Sequence, residues 1–160
     1  MESGCRIEKI SFRDIDENAP RSPCEDLRTV IRDLVEGENY FHPTGDEKGP
    51  YELEMAVVEN RLGFNIRNAQ GKDLPSLYIS FNPYRKLITD YFILCASYQK
   101  ARKDAGPSRL EAIDMGRRAL HNEGASLLLE RLSHRIEMDL PTARNIFTIM
   151  CVLHGRHGPI

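Results

Sequence analysis

No apolar run in this sequence approaches the roughly 20 residues that cross a bilayer, and the start, MESGCRIEKI, has neither a basic leader nor an apolar signal core. Together these absences make a soluble protein the expectation, located in the cytoplasm, with no membrane partner. Positive charge is not in excess either: the net charge is −2, with 22 Lys and Arg interleaved among 24 Asp and Glu. Without a broad positive field to grip a phosphate backbone, nucleic acid is not an expected partner.

The four cysteines, Cys5, Cys24, Cys95 and Cys151, are widely spaced and include no C-x-x-C pair. Reduced core thiols are the expected state. The sequence contains no G-x-S-x-G, no P-loop and no dinucleotide fingerprint, so no motif implies a reaction and no cofactor is expected. Cys151, His154 and His157 recur every three residues, but Gly155 and the chain end interrupt the helix that would align them, and no fourth ligand follows. No metal site is expected.

What remains is an evenly patterned chain of 160 residues, 41% apolar and 29% charged, long enough to bury a core. It reads as one globular domain over residues 1–160, with 1–4 and 156–160 flexible. CRIEKISF (5–12) alternates as an edge strand, with Ile10 and Phe12 on one side and Ile7 on the other. Ser22, Pro23 and Glu25 carry the start signals of a helix whose stripe is Leu27, Val30, Ile31 and Leu34, stopped at Gly37. FHPTGDEKGPY (41–51) reads as an irregular loop and a candidate lid. A three-strand meander follows: Tyr51, Leu53, Met55 and Val57, then Leu62, Phe64 and Ile66, then LPSLYISF, whose Pro75 suggests an edge.

From Asn82 and Pro83, read as N-cap and first helical residue, the period becomes helical, with Tyr84, Leu87, Ile88, Tyr91, Leu94, Cys95 and Tyr98 on one face. Ser108 and Glu111 suggest a capping box for the next helix. Residues 135–138 read as a short extended piece, and Asp139 or Thr142 as the start of a last helix stopped at Gly155. The expected fold class is α+β: a mainly antiparallel sheet of about four strands, one N-terminal plus the meander, covered by about four helices.

The most informative stretch is EAIDMGRRALHNEGASLLLERL (111–132). Its apolar stripe of Leu110, Ile113, Leu120, Gly124, Leu127 and Leu128 contains Arg117, with Asp114 and His121 at the margin. The three polar residues stand at i, i+3 and i+7, within mutual reach. A guanidinium on such a face needs a partner, because an uncompensated buried charge costs several kcal/mol. One expectation is a polar network that fixes helix packing. The other is a pocket for a small anionic ligand, with Arg117 as anchor, His121 as the candidate catalytic acid or base, Asp114 orienting them, and Arg85 with the 41–51 loop completing the site. Ala112, Gly116 and Ala119 form a separate strip of small residues suited to a protein partner or a homodimer.

The segments GPYEL, NPYRKLITDYFILCASY, EAIDMGRRALHNEGASLLLERL, IEMDLPTARNIFT and CVLH together resemble an uncharacterised family of alphaproteobacterial proteins of about this length. The resemblance implies no activity or site residues. The primary functional expectation is a regulatory or partner-binding protein without catalysis, and the alternative is an enzyme or sensor for a phosphorylated or carboxylated metabolite.

Overall fold

Alternation of apolar side chains organises the sheet. In the computed structural model, which describes residues 4–14, 27–104 and 106–156, four strands pair in the order β1 (Ile7–Phe12), β3 (Tyr51–Val58), β4 (Arg61–Arg67), β5 (Leu77–Ser80). Register aligns the inward residues: Leu53 faces Ile66, Met55 faces Phe64, and Val57 faces Leu62. A one-residue slip would turn this whole set to solvent. Glu59 and Asn60, both at positive φ, form the tight hairpin turn between β3 and β4, the backbone shape that matches strand twist.

The sheet is mixed rather than purely antiparallel, because β1 pairs parallel to β3. A parallel neighbour needs a crossover, supplied here by α1 (Leu27–Glu36) and the short strand β2 (Phe41–Pro43). The expected split of Ile7 from Ile10 also changes. A register irregularity between Ile7 and Lys9 resets the alternation, so both isoleucines are buried. Pro75 precedes β5, which is an edge strand as expected.

Residues 41–51 are not an irregular loop throughout. Phe41–Pro43 pairs antiparallel with β6 (Ile136–Met138) as a separate two-stranded sheet. This partner lies some ninety residues away, which local turn signals do not register.

The helices follow their apolar stripes, with corrected ends. Leu27, Val30 and Leu34 are buried in α1, and Gly37 follows its end. The start signals at Ser22, Pro23 and Glu25 lie outside the described residues, as does the tail from His157. Asn82 does not cap a long helix: a 3-10 turn over Asn82–Tyr84 comes first, and α2 runs from Arg85 to Asp104. Nor do Ser108 and Glu111 form a capping box, since α3 begins at Pro107 (Pro107–Leu132) with Gly106 as its uncapped N-cap. Proline suits that first position, where no intrahelical N–H bond is lost. Asp139 does cap α4 (Leu140–Arg156), its Oδ1 accepting the Thr142 N–H at 3.0 Å. Gly155 continues α4 instead of ending it, and lies so near Phe92 that a Cβ there would come within 2.9 Å of the ring.

α3 packs against α2 and α4, α4 against α1, and α1 against β1, and buried residues from the strands and all four helices form one core cluster. Cys5 and Cys151 are buried. Cys95, also buried, is disulfide-bonded, which corrects the expectation of four reduced thiols; sequence spacing carries no information on which cysteines meet in space. Among the described residues no helix is long and apolar enough to cross a membrane.

Two glycines of α3 differ in what surrounds them. A Cβ on Gly124 would sit 2.5 Å from the Phe147 ring, whereas one on Gly116 would meet Leu94 at 3.6 Å, an ordinary contact. Gly124→Ala should therefore destabilise by about 1–3 kcal/mol through overpacking, while Gly116→Ala should stabilise by up to about 1 kcal/mol through helix propensity. Urea unfolding of both variants checks the opposite signs; equal shifts would show that α3 and α4 are not in close contact.

Candidate functional site

Asp114, Arg117 and His121 come together where α3 faces α2 and α4. Arg117 Nη2 lies 3.4 Å from Asp114 Oδ1, and the second oxygen of that carboxylate takes Arg118 Nη2 at 3.0 Å. From α2, Tyr98 presents its ring to the guanidinium, with Cζ 5.2 Å from the centroid, a favourable placement for a cation. One carboxylate thus serves two guanidiniums, and the Arg117 side chain is 23% exposed. The aliphatic stem lies over apolar surface while the charge is met at the margin.

His121 faces α4. Its Nε2 is 3.3 Å from Thr148 Oγ1, and that hydroxyl lies 3.1 Å from the Arg144 carbonyl. A hydroxyl has one proton to give. With it donated to the carbonyl, the hydroxyl oxygen accepts from His121 Nε2–H, which assigns the neutral tautomer with the proton on Nε2. Tyr91 and Phe147 flank the imidazole at ring separations of 5.6 Å and 6.1 Å. Burial, then the charges of Arg117 and Arg144, push its pKa down to about 4, against a smaller opposing pull from Asp114. At neutral pH the ring is uncharged, well away from the range in which it would exchange protons efficiently as an acid or base.

Arg85 does not join this cluster. It is exposed at the first residue of α2, thirteen positions before Tyr98, or about 20 Å along the axis at 1.5 Å per residue. Its neighbour Lys86 pairs with Asp90 at 3.1 Å, as the i, i+4 spacing suggests. The 41–51 loop is also elsewhere, beside Leu129 and Ser133 at the far end of α3.

That loop is fastened by Asp46, a residue not singled out from the sequence. Asp46 Oδ1 accepts the Lys48 N–H at 2.9 Å and the Tyr51 hydroxyl at 3.0 Å, and Oδ2 accepts Asn68 Nδ2 at 3.0 Å. Burial works to raise its pKa, but the hydrogen bonds from Asn68, Lys48 and Tyr51 and the charge of Lys72 outweigh this and lower it. His42 Nε2 donates to the Asp46 carbonyl at 3.0 Å and lies 3.2 Å from Glu47 Oε2, and the Thr44 N–H donates to the Arg135 carbonyl at 2.9 Å. These ties hold the expected lid against the body. The turn residues were legible, but partners at positions 68, 72 and 135 were not.

The weak metal lead at the C-terminus resolves differently. Cys151 is fully buried, which pushes its thiol pKa up, and His154 packs its ring edge-on against Phe81 at 4.7 Å. Among the described residues no group of three His, Cys, Asp or Glu is placed to hold a metal ion.

Fold and site together define an α+β protein with a polar cluster between helices. The model of the uncharacterised protein family UPF0262 matches residues 5–156, and the chain belongs to that family. The UPF0262 protein of Chelativorans sp. is 46% identical over 147 residues, covering 89% of this chain and 91% of that protein. Those of Brucella canis and Brucella anthropi are each 48% identical over the same length and the same shares. No solved structure matches the chain.

The depressed His121 pKa has a definite consequence for stability. Above pH about 6.5 His121 is neutral in both folded and unfolded chains; as pH falls toward 4 the unfolded chain binds the proton first, so folding stability is lost across that window. The loss attributable to His121 should be on the order of 3 kcal/mol. Denaturant unfolding at a series of pH values should show it in the wild type and not in His121→Gln; an identical slope in both would remove His121 as the source.

Proposed function

We propose that this protein is a cytoplasmic, non-catalytic module with a regulatory or partner-binding role, which works as a homodimer through the outer face of α2 and α3. The observation that carries this is an exposed apolar pair, Ile93 at 58% and Met115 at 63%. Ile93 lines a groove of about 360 Å3 floored by Leu94, Gly116, Ala119 and Leu120, and Met115 directly precedes Gly116 in the chain. Single exposed apolar residues are common, but two large ones beside a small-residue floor form a surface that a second helix can approach closely.

A second copy suits this surface by charge. Asp90 and Glu123 line one end of the groove, and Lys100, exposed two turns beyond Ile93, marks the other. A two-fold axis near Ile93 and Met115 sets the acidic end of one copy against the basic end of its mate, the self-complementarity that an isologous interface requires. The proposed location rests on the ordinary balance of charged and apolar residues.

The alternative, an enzyme or sensor holding a phosphorylated or carboxylated metabolite on Arg117 and His121, has less in its favour. Asp114 and Tyr98 already meet the guanidinium, and His121 is neutral and committed to Thr148. The polar trio is better read as the network that fixes how α2, α3 and α4 pack.

Light scattering after size exclusion should give twice the chain mass for the wild type. Ile93→Asp and Met115→Asp place like charges across the axis on exposed sites and should give monomers with unchanged helical content. A wild type that stays monomeric at every concentration tested would overturn the homodimer.

A further inference from the structure

The surface beyond the C-terminal end of α3 has a different chemistry. Between the β2–β3 loop, the β4–β5 loop and the turn after α3 lies a cleft of about 340 Å3. Its floor is apolar, built from Ile66 and Leu77, both almost fully buried, with Leu74 beside them. Its rim carries Lys72, His134 and Arg135, all exposed. Among the described residues the side chains of His134 and Arg135 take part in no hydrogen bond or ion pair, as the polar contacts around them involve other groups.

The neighbouring acids offset only part of this charge. Asp46 lines the cleft and keeps its negative charge, which acts on Lys72, while its two oxygens accept three hydrogen bonds from the loop and from Asn68. Asp73 is held by Arg67 at 3.0 Å, and Glu137 accepts the Tyr40 hydroxyl at 3.1 Å. With Lys72 and Arg135 against Asp46, the lining carries one net positive charge when His134 is neutral and two when it is protonated.

We infer that this cleft binds a small organic oxyanion, a carboxylate or phosphate monoester whose short apolar body lies on Ile66, Leu74 and Leu77 while its head meets Lys72, His134 and Arg135. A concave apolar floor with a few convergent polar groups is the usual form of a small-molecule site, and this one is at the lower end of the size range. Since a cavity of about 150 Å3 accommodates benzene, the space suits one ring or a short chain plus the head group. Arg135 can receive either head with paired N–H donors, and Lys72 acts as a point charge. The site lies apart from the α2–α3 groove, so it stands or fails independently of the homodimer.

The test is titration of the full chain with 3-phenylpropionate and with phenyl phosphate, followed by backbone amide NMR shifts, with benzyl alcohol and inorganic phosphate as probes lacking the head or the body. One or both organic anions should shift the amides of Thr44, Gly45, Leu74 and Arg135 saturably, and whichever binds tighter identifies the head group. Lys72→Ala and Arg135→Ala should each weaken that binding about tenfold without changing the melting temperature, because neither side chain is buried. The proposal is overturned if neither anion shifts these amides, if benzyl alcohol or inorganic phosphate binds equally well, or if the two variants bind as the wild type does.

Discussion

The close approach of α3 and α4 at Gly124 and Phe147 is the contact on which the helical layer depends. Phe147 is fully buried and occupies the space a side chain at Gly124 would need. Because α3 also packs along α2 and α4 along α1, this one crossing sets the depth at which the two other helices sit. It also carries His121 to Thr148, the residue next to Phe147 on α4. Interiors are packed closely enough that a change at such a point is felt at its neighbours.

Two polar groups inside this frame do similar work in different places. At the helices, Asp114 meets Arg117 and Arg118 while His121 remains neutral against Thr148. At the sheet end, Asp46 gathers Lys48, Tyr51 and Asn68, tying a loop to two strands. In each case a polar group is kept from water only where partners replace the lost hydration.

The surface offers two places of contrasting character along one helix, one at its middle and one beyond its C-terminal end. α3 spans 26 residues, about 39 Å at 1.5 Å per residue. Its middle borders the apolar groove with Ile93, and the turn after its C-terminus contributes His134 and Arg135 to the charged cleft.

What the sequence by itself determined was whatever depends on near neighbours. The alternation of Tyr51 to Val57 and of Leu62 to Ile66, the stripes of α1 and α2, the i, i+3, i+7 grouping of Asp114, Arg117 and His121, and the α+β class all follow from periods of two and 3.6 residues. Tertiary structure decided what depends on residues distant in sequence: the parallel pairing of β1, the strand made from Phe41–Pro43 against Ile136–Met138, and the separation of Arg85 from the Arg117 cluster. It also brought Lys72, His134 and Arg135 around one cleft. Capping at Asn82 and Ser108 failed for the same reason, since the chain entering each helix was placed by contacts that local signals do not contain.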